Sequence, residues 1–239
     1  MTTPPTFTTN LRRLGKRGLR QIAWGFVFLL VEVAVFFAAA GRLDLPRAWY
    51  FFGLAFAYSV AAVIVIVRLA PDLIRVRGEK HEGTIWWDKL IVPLLIIMIF
   101  AVLAVAGLDT GRFHWSSVGV FAAVAGTVLF IGGAMFTQWA MVSNPYFEPT
   151  VRIQKERGHK VITGGPYRFV RHPGYAGMIA ANVGVPLILG SLAALIPTAI
   201  IILLAIIRTI LEDALLRREL PGYAEYAERV RYRLCPWVW

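Results

Sequence analysis

The chain has 239 residues, of which 58% are hydrophobic and 16% charged, and a formal net charge of +11 at pH 7. Its apolar residues come in runs close to the roughly 20 needed to cross a bilayer, so the basic excess reads as membrane orientation rather than a nucleic-acid footprint. The single cysteine, Cys235, excludes an internal disulfide and a cysteine-based zinc site.

In chain order, the first 21 residues carry five basic residues and no acid. The apolar run that follows is too long for the core of a signal peptide and shows no small-residue cleavage site, so it is expected to be a retained first span. Six membrane helices are predicted, over residues 22–40, 48–67, 90–106, 115–142, 175–189 and 192–207. Glu32 is the one acid inside these stretches. An intramembrane carboxyl is a functional candidate by default; the reading favoured here is a protonated side chain hydrogen-bonded to a neighbouring helix. The loop 71–88, with near-balanced charge and two tryptophans, reads as an interfacial linker. The last two helices are short and joined by Gly190-Ser191, with Pro186 and Pro197 on either side, which predicts a bent or partly spanning hairpin.

Charge sets the orientation. All 25 Lys and Arg residues fall outside the six stretches, and only Arg42, Arg47 and Arg112 lie on one side. The positive-inside rule then places both termini in the cytoplasm and requires an even number of spans. Trp24, Trp49, Tyr50, Trp86, Trp87 and Trp115 sit near span ends, where an interfacial belt belongs. The expected architecture is an all-α polytopic membrane bundle forming one domain over residues 1–239. The lipid bilayer is its environment, and no nucleic acid or obligate protein partner is expected.

The polar chemistry gathers at the cytoplasmic ends of the last helices. The run from Gly165 to Gly177, GPYRFVRHPGYAG, places two arginines, a histidine and two tyrosines where a polar loop meets an apolar helix. Ionisable groups beside hydrocarbon are costly and mark function. The hairpin returns the chain to the side it left, which brings His172 towards Arg208. Arg208 and Glu212 share a helix face at (i, i+4) spacing; they are either a surface ion pair or a charged pair facing a headgroup-level cavity. Glu219–Tyr226 with Arg229–Arg233 forms a second polar cluster: the arginines suit a helix lying on anionic lipid, but Tyr223 and Tyr226 after a Pro-Gly break need another reason. The four histidines show no metal-ligand spacing, so no metal site is expected. There is no Walker A motif, no GxGxxG and no βα alternation, which excludes a soluble Rossmann-type enzyme.

The Gly-Pro-Tyr-x-x-x-Arg-His-Pro-x-Tyr-x-Gly run resembles that of the integral-membrane isoprenylcysteine carboxyl methyltransferases and phospholipid N-methyltransferases. Arg208-Thr209-x-x-Glu212 resembles their Arg-x-x-x-Glu, and Pro221-Gly222-Tyr223-x-x-Tyr226 with Val230-Arg231 resembles their closing tyrosine element, at a slightly different spacing. The resemblance covers residues 151–233. It implies S-adenosylmethionine as cofactor, bound from the cytosol by residues 143–239, and a lipidic or membrane-soluble acceptor. It implies that His159, Lys160, Val161, Ile162, Tyr167, His172, Pro173, Gly174 and Tyr175 line the cofactor pocket, with Gln154 ahead of them (the spacing also admits Arg152), Tyr223 and Tyr226 from the closing element, and Glu212 completing it. Arg208 would face the acceptor. The cofactor is a sulfonium with a carboxylate and an ammonium: Tyr167 and Tyr175 offer ring faces to a cation, and Arg171 with the amides of Thr163-Gly164-Gly165 suits a carboxylate.

Two other readings compete. Membrane sterol reductases resemble this family in their C-terminal half and bind NADPH, though no cluster for a 2′-phosphate is evident here. A transporter requires polar residues at mid-membrane, and the spans supply little beyond Glu32. The acceptor stays open among carboxylate, amine and thiol. The Ala-, Arg- and Gly-rich composition suggests a bacterial inner membrane.

Overall fold

The computed structural model describes residues 7–78 and 82–239; Lys80 and His81, counted above, lie outside them. Among the described residues there is no strand. The helices are α1 (Phe7–Ala40), α2 (Pro46–Leu69), α3 (Pro71–Arg77), α4 (Asp88–Gly107), α5 (Val120–Ser143), α6 (Pro173–Leu189), α7 (Leu195–Glu219) and α8 (Tyr223–Arg229). Five stretches are long and apolar enough to cross a membrane: Leu14–Ala40, Pro46–Leu69, Asp88–Phe113, Val120–Ser143 and Leu195–Glu219. Helix α6 has 17 residues; at 1.5 Å each it is about 26 Å long, just short of the hydrocarbon thickness.

The hairpin of α6 and α7 is present. Gly190 ends α6 in the left-handed region (φ 94) that glycine adopts without penalty. Ser191 Oγ donates to Asp109 at 2.5 Å and accepts from the Ala194 amide at 3.1 Å.

Several boundaries differ from the sequence reading, α1 already starting at Phe7 rather than 22, and three differences have a local reason. Helix α7 runs on to Glu219 instead of stopping at 207, because charge does not end a helix; Pro221-Gly222 does, with Gly222 at φ 80. Arg208 and Glu212 therefore sit inside a continuous helix, and its polar side is covered by the rest of the protein: Arg208, Thr209 and Asp213 are buried. Helix α5 starts at Val120 rather than 115. The preceding residues are held in another conformation by Asp109, which accepts from the Ser116 amide and hydroxyl, and by Arg47, which donates to the Val118 carbonyl at 2.7 Å. The 71–88 linker contains α3, whose Leu73, Ile74 and Val76 are buried. α3 packs against α1, which is kinked at Gly15 (φ 58, ψ −173).

One apolar core joins α1, α2, α4, α6 and α7 through Phe36, Phe51, Phe52, Val102, Ile188 and Ile201. The most intimate helix pair is α5 with α6, where glycines meet backbone. A Cβ on Gly126 would lie 2.8 Å from the Gly184 carbonyl oxygen, and one on Gly133 2.6 Å from the Ala181 nitrogen. Small residues replace the hydrophobic drive that lipid removes. This contact sets the first turn of α6 against the last turns of α5, where the polar loop 144–172 begins and returns.

Candidate active site

The loop is built on its own charges. Glu148, with a side chain only 1% exposed, accepts from Arg152 Nε and Nη2 at 2.7 and 2.9 Å. Gln154 donates to the Tyr146 carbonyl at 2.7 Å and accepts from Arg157 at 2.5 Å. The Gln154 amide donates to His159 Nδ1 at 3.4 Å, and the His159 ring lies 4.5 Å from that of Tyr146. Burial, with the Arg157 charge adding, pushes the His159 pKa below its ordinary value, so the imidazole is kept neutral and can accept that bond. From Lys160 to Thr163 the chain is irregular, and among the described residues its peptide groups make no hydrogen bond with the protein.

Two buried carboxylates then hold loop, helices and tail together. Asp213 on α7 accepts from Arg171 Nε and Nη2 at 2.7 and 3.1 Å, from Tyr223 at 2.9 Å, from Arg217 at 3.2 Å and from Arg233 at 3.1 Å. His172 Nε2 lies 3.3 Å from the same carboxylate. Arg171 spends its remaining Nη1 on the Val230 and Arg231 carbonyls, and the Arg171 and His172 amides donate to Tyr232 and Arg233. The tail is thus strapped across the start of α6. Asp88, fully buried at the start of α4, accepts from Arg208 Nε and Nη2 at 2.7 and 3.1 Å and from the Val151 amide at 2.7 Å. Arg208 Nη2 also reaches the Pro149 carbonyl at 2.8 Å. Its Nη1 makes no hydrogen bond among the described residues.

These ties enclose a cavity of about 360 Å³, inside the range of ordinary ligand sites. Fifteen of the residues proposed from sequence line it: Gln154, His159, Lys160, Val161, Ile162, Tyr167, Arg171, His172, Pro173, Gly174, Tyr175, Arg208, Glu212, Tyr223 and Tyr226. Their parts differ from the sequence reading at several points. Arg171 gives four of its five N–H groups to Asp213 and the tail carbonyls, so it is first of all a strut. The Thr163–Gly165 turn does not reach the cavity; Gly165 (φ 58) lies against Ser143 and Trp139. Arg208 pairs with Asp88 instead of Glu212, and its guanidinium lies 5.3 Å from the centre of the Tyr175 ring. Glu212 instead accepts a short hydrogen bond from the Tyr175 hydroxyl. Gln154 is spent within its own loop, as described above.

The phenols stay protonated. Burial pushes Tyr167, Tyr223 and Tyr226 well up, and the Asp213 charge pushes Tyr223 further. Tyr226 donates to the Tyr167 carbonyl at 2.6 Å, and Asn144 donates to the Tyr167 hydroxyl at 3.1 Å. Arg77 also lines the cavity. Burial lowers its pKa to about 10, opposed by Glu148 and reinforced by Arg208.

Sequence reasoning missed Asp88, Asp213, Arg77 and Glu148. Asp213 carried a usable signal, since it and Arg217 share a helix face at (i, i+4) in a stretch too polar to face lipid. Asp88 carried none: an acid in the first turn of a helix is ordinary, and its partner is 120 residues away. Among the described residues no cluster of His, Cys, Asp and Glu has the geometry of a metal site.

Comparison with known proteins follows this geometry. Residues 121–221 match the family model described as phospholipid methyltransferase. A rice protein (Oryza sativa subsp. indica) named Probable protein-S-isoprenylcysteine O-methyltransferase is 31% identical over 113 residues, 46% of this chain and 59% of that one. Protein-S-isoprenylcysteine O-methyltransferase B of Arabidopsis thaliana is 28% identical over 106 residues, 44% and 54% of the two chains. Nickel-cobalt-cadmium resistance protein NccN of Alcaligenes xylosoxydans xylosoxydans is 29% identical over 153 residues, 63% and 62% of the two. The chain spans little more than half the length of its plant relatives. The family match covers α5, the loop, α6 and α7, and leaves out Arg77, Asp88 and the tail.

Proposed function

We propose that this chain, which belongs to the family of membrane methyltransferases that includes the phospholipid and isoprenylcysteine enzymes, transfers a methyl group from S-adenosylmethionine to a membrane-dissolved acceptor in the cavity beside Glu212. The observation that carries this reading is convergence. Three motifs, from the loop, α7 and the tail, line one cavity at the polar end of the bundle. Both termini and the cavity face the cytoplasm on this reading, as the basic asymmetry requires.

The lining suits the cofactor's chemistry. A zwitterion with an added sulfonium needs both signs of charge and aromatic faces, and the cavity offers Lys160 and Glu212 with Tyr167, Tyr175 and Tyr223. The unpaired peptide groups of residues 160–163 suit the edge of a purine. When bound, the cofactor would supply an electrophilic methyl on its sulfonium: the acceptor's lone pair bonds to that carbon as the opposite carbon–sulfur bond breaks and the neutral thioether leaves. The protein's share is to bind and align. Glu212, oriented by the Tyr175 hydroxyl, holds an ammonium or receives the proton that an amine acceptor sheds; a carboxylate acceptor needs no base. Arg208, fixed by Asp88, keeps Nη1 for the acceptor.

The test is methylation of a membrane lipid extract with methyl-labelled S-adenosylmethionine. Label should appear in a chromatographically discrete lipid with wild type and be lost with Glu212→Ala. Equal labelling by both would remove Glu212 from the reaction.

A further inference from the structure

A second cavity, of about 280 Å³, lies among α1, α2, α4, α5 and α6, away from the loop and the tail. Glu32 faces it together with Phe28, one turn earlier on α1; Phe51, Tyr58 and Ser59 face it from one side of α2; Phe130 and Asn182 enter from α5 and α6. Glu32 is eight residues from the end of α1 at Ala40, about 12 Å along the axis, which places it within the hydrocarbon. The expected hydrogen bond to a neighbouring helix is not there: among the described residues nothing pairs with its carboxyl. No lysine or arginine lines the cavity.

The hydroxyl hydrogens around Glu32 are already engaged, and so is one of the two Asn182 amide hydrogens. Ser59 donates to the Ala55 carbonyl at 2.8 Å. Tyr58 donates to the Ala134 carbonyl at 2.7 Å. Asn182 gives one amide hydrogen to the Met178 carbonyl at 2.9 Å. What remains is mainly lone pairs, on two carboxyl oxygens, two hydroxyl oxygens and one amide oxygen, against a single Asn182 amide hydrogen. Around them stands a wall of rings, with Phe51 and Phe130 at 5.4 Å and Tyr58 and Phe130 at 6.4 Å between centroids. Lone pairs, one uncompensated carboxylate and ring faces all favour a cation that donates hydrogen bonds. A charge in hydrocarbon is costly unless paired, so such a ligand and Glu32 would compensate each other.

We infer that this intramembrane cavity is a binding site for a hydrophobic primary ammonium, an alkylamine-like amphiphile whose head pairs with Glu32. The site is separate from the cavity at Glu212, and the inference does not depend on the methyltransferase reading.

Equilibrium binding of labelled decylamine to the purified full chain in dodecyl maltoside, measured against empty micelles, tests it. One saturable site per chain is expected, with decanol and decanoate competing at least tenfold more weakly. Glu32→Gln should weaken binding at least tenfold, and Ala55→Phe, which fills the cavity and keeps the carboxyl, should abolish it. S-adenosylhomocysteine should not compete. Melting temperatures report whether each variant folds, and Ala55→Phe with the competitor series decides the matter should Glu32→Gln fail to. Unsaturable binding, decanol competing as well as decylamine, or unchanged affinity in a folded variant of either kind would overturn the inference.

Discussion

Asp213 and Arg171 face each other through two parallel hydrogen bonds, with side chains 1% and 2% exposed and 42 positions apart in sequence. This pair is the point where α7, the start of α6 and the tail meet. Removing one member of a buried pair leaves the other charge uncompensated, at a cost of about 3–5 kcal/mol. Asp213→Asn should therefore unfold at markedly lower temperature in detergent and expose the tail after Tyr226 to limited proteolysis. Arg218→Ala, which breaks an exposed pair with Glu219, should change stability by no more than about 0.5 kcal/mol. Parallel melting curves separate the two.

The α5–α6 contact gives a second expectation. Gly133→Ala adds a methyl where the Ala181 nitrogen would be 2.6 Å away, whereas a Cβ on Gly132 meets nothing within 4 Å. Overpacking costs about 1–3 kcal/mol. Gly133→Ala should lose that much stability, while Gly132→Ala should be neutral or slightly stabilising. Because α6 carries Tyr175 and follows directly on His172, the first variant should also weaken ligand binding at the cavity.

His159 predicts a pH effect. Its folded pKa is depressed by burial and the Arg157 charge, so below the ordinary histidine range, about 6.5, the unfolded chain takes up a proton that the folded chain does not. The contribution is complete above that range and is lost as pH falls through it towards the depressed folded value. His159→Gln should flatten this part of the curve of melting temperature against pH between about 5 and 7.5. A wild-type curve parallel to the variant's would mean that the imidazole is not held neutral.

The helices were legible because each rests on a local signal: apolar length for the spans, Gly190 for the hairpin turn, basic residues for loop membership. The cavity lining was legible because the chemistry is concentrated in short motifs. What was not legible is which polar side chains the fold consumes. Arg171 looked like a ligand-binding arginine, yet Asp213 and two main-chain carbonyls of the tail take up four of its five N–H groups. Arg208 looked like Glu212's partner, yet Asp88 holds it. Spacing on one helix says which residues share a face, but not what another helix brings to that face. The end of α7 failed for a related reason: the polar residues after 207 looked like the end of a span, while tertiary burial of Arg208 and Asp213 allows the helix to continue.

Arg208 and Glu212 should differ in kind when replaced. Arg208→Ala should leave cofactor affinity nearly intact and cut methyl transfer at least tenfold, about 1.4 kcal/mol of barrier. Its cost in stability should be smaller in the Asp88→Asn background, since the two replacements remove the same pair. Single-turnover assays of the four variants in this cycle give the comparison.

Isothermal titration of the purified protein with S-adenosylhomocysteine tests the central claim most directly. The account predicts one saturable site per chain, weakened by Glu212→Ala through loss of a charge-assisted hydrogen bond worth about 1.5–3 kcal/mol and kept by Ala55→Phe in the second cavity. Absence of binding by the folded wild-type protein, alongside saturable binding of NADPH, would contradict it.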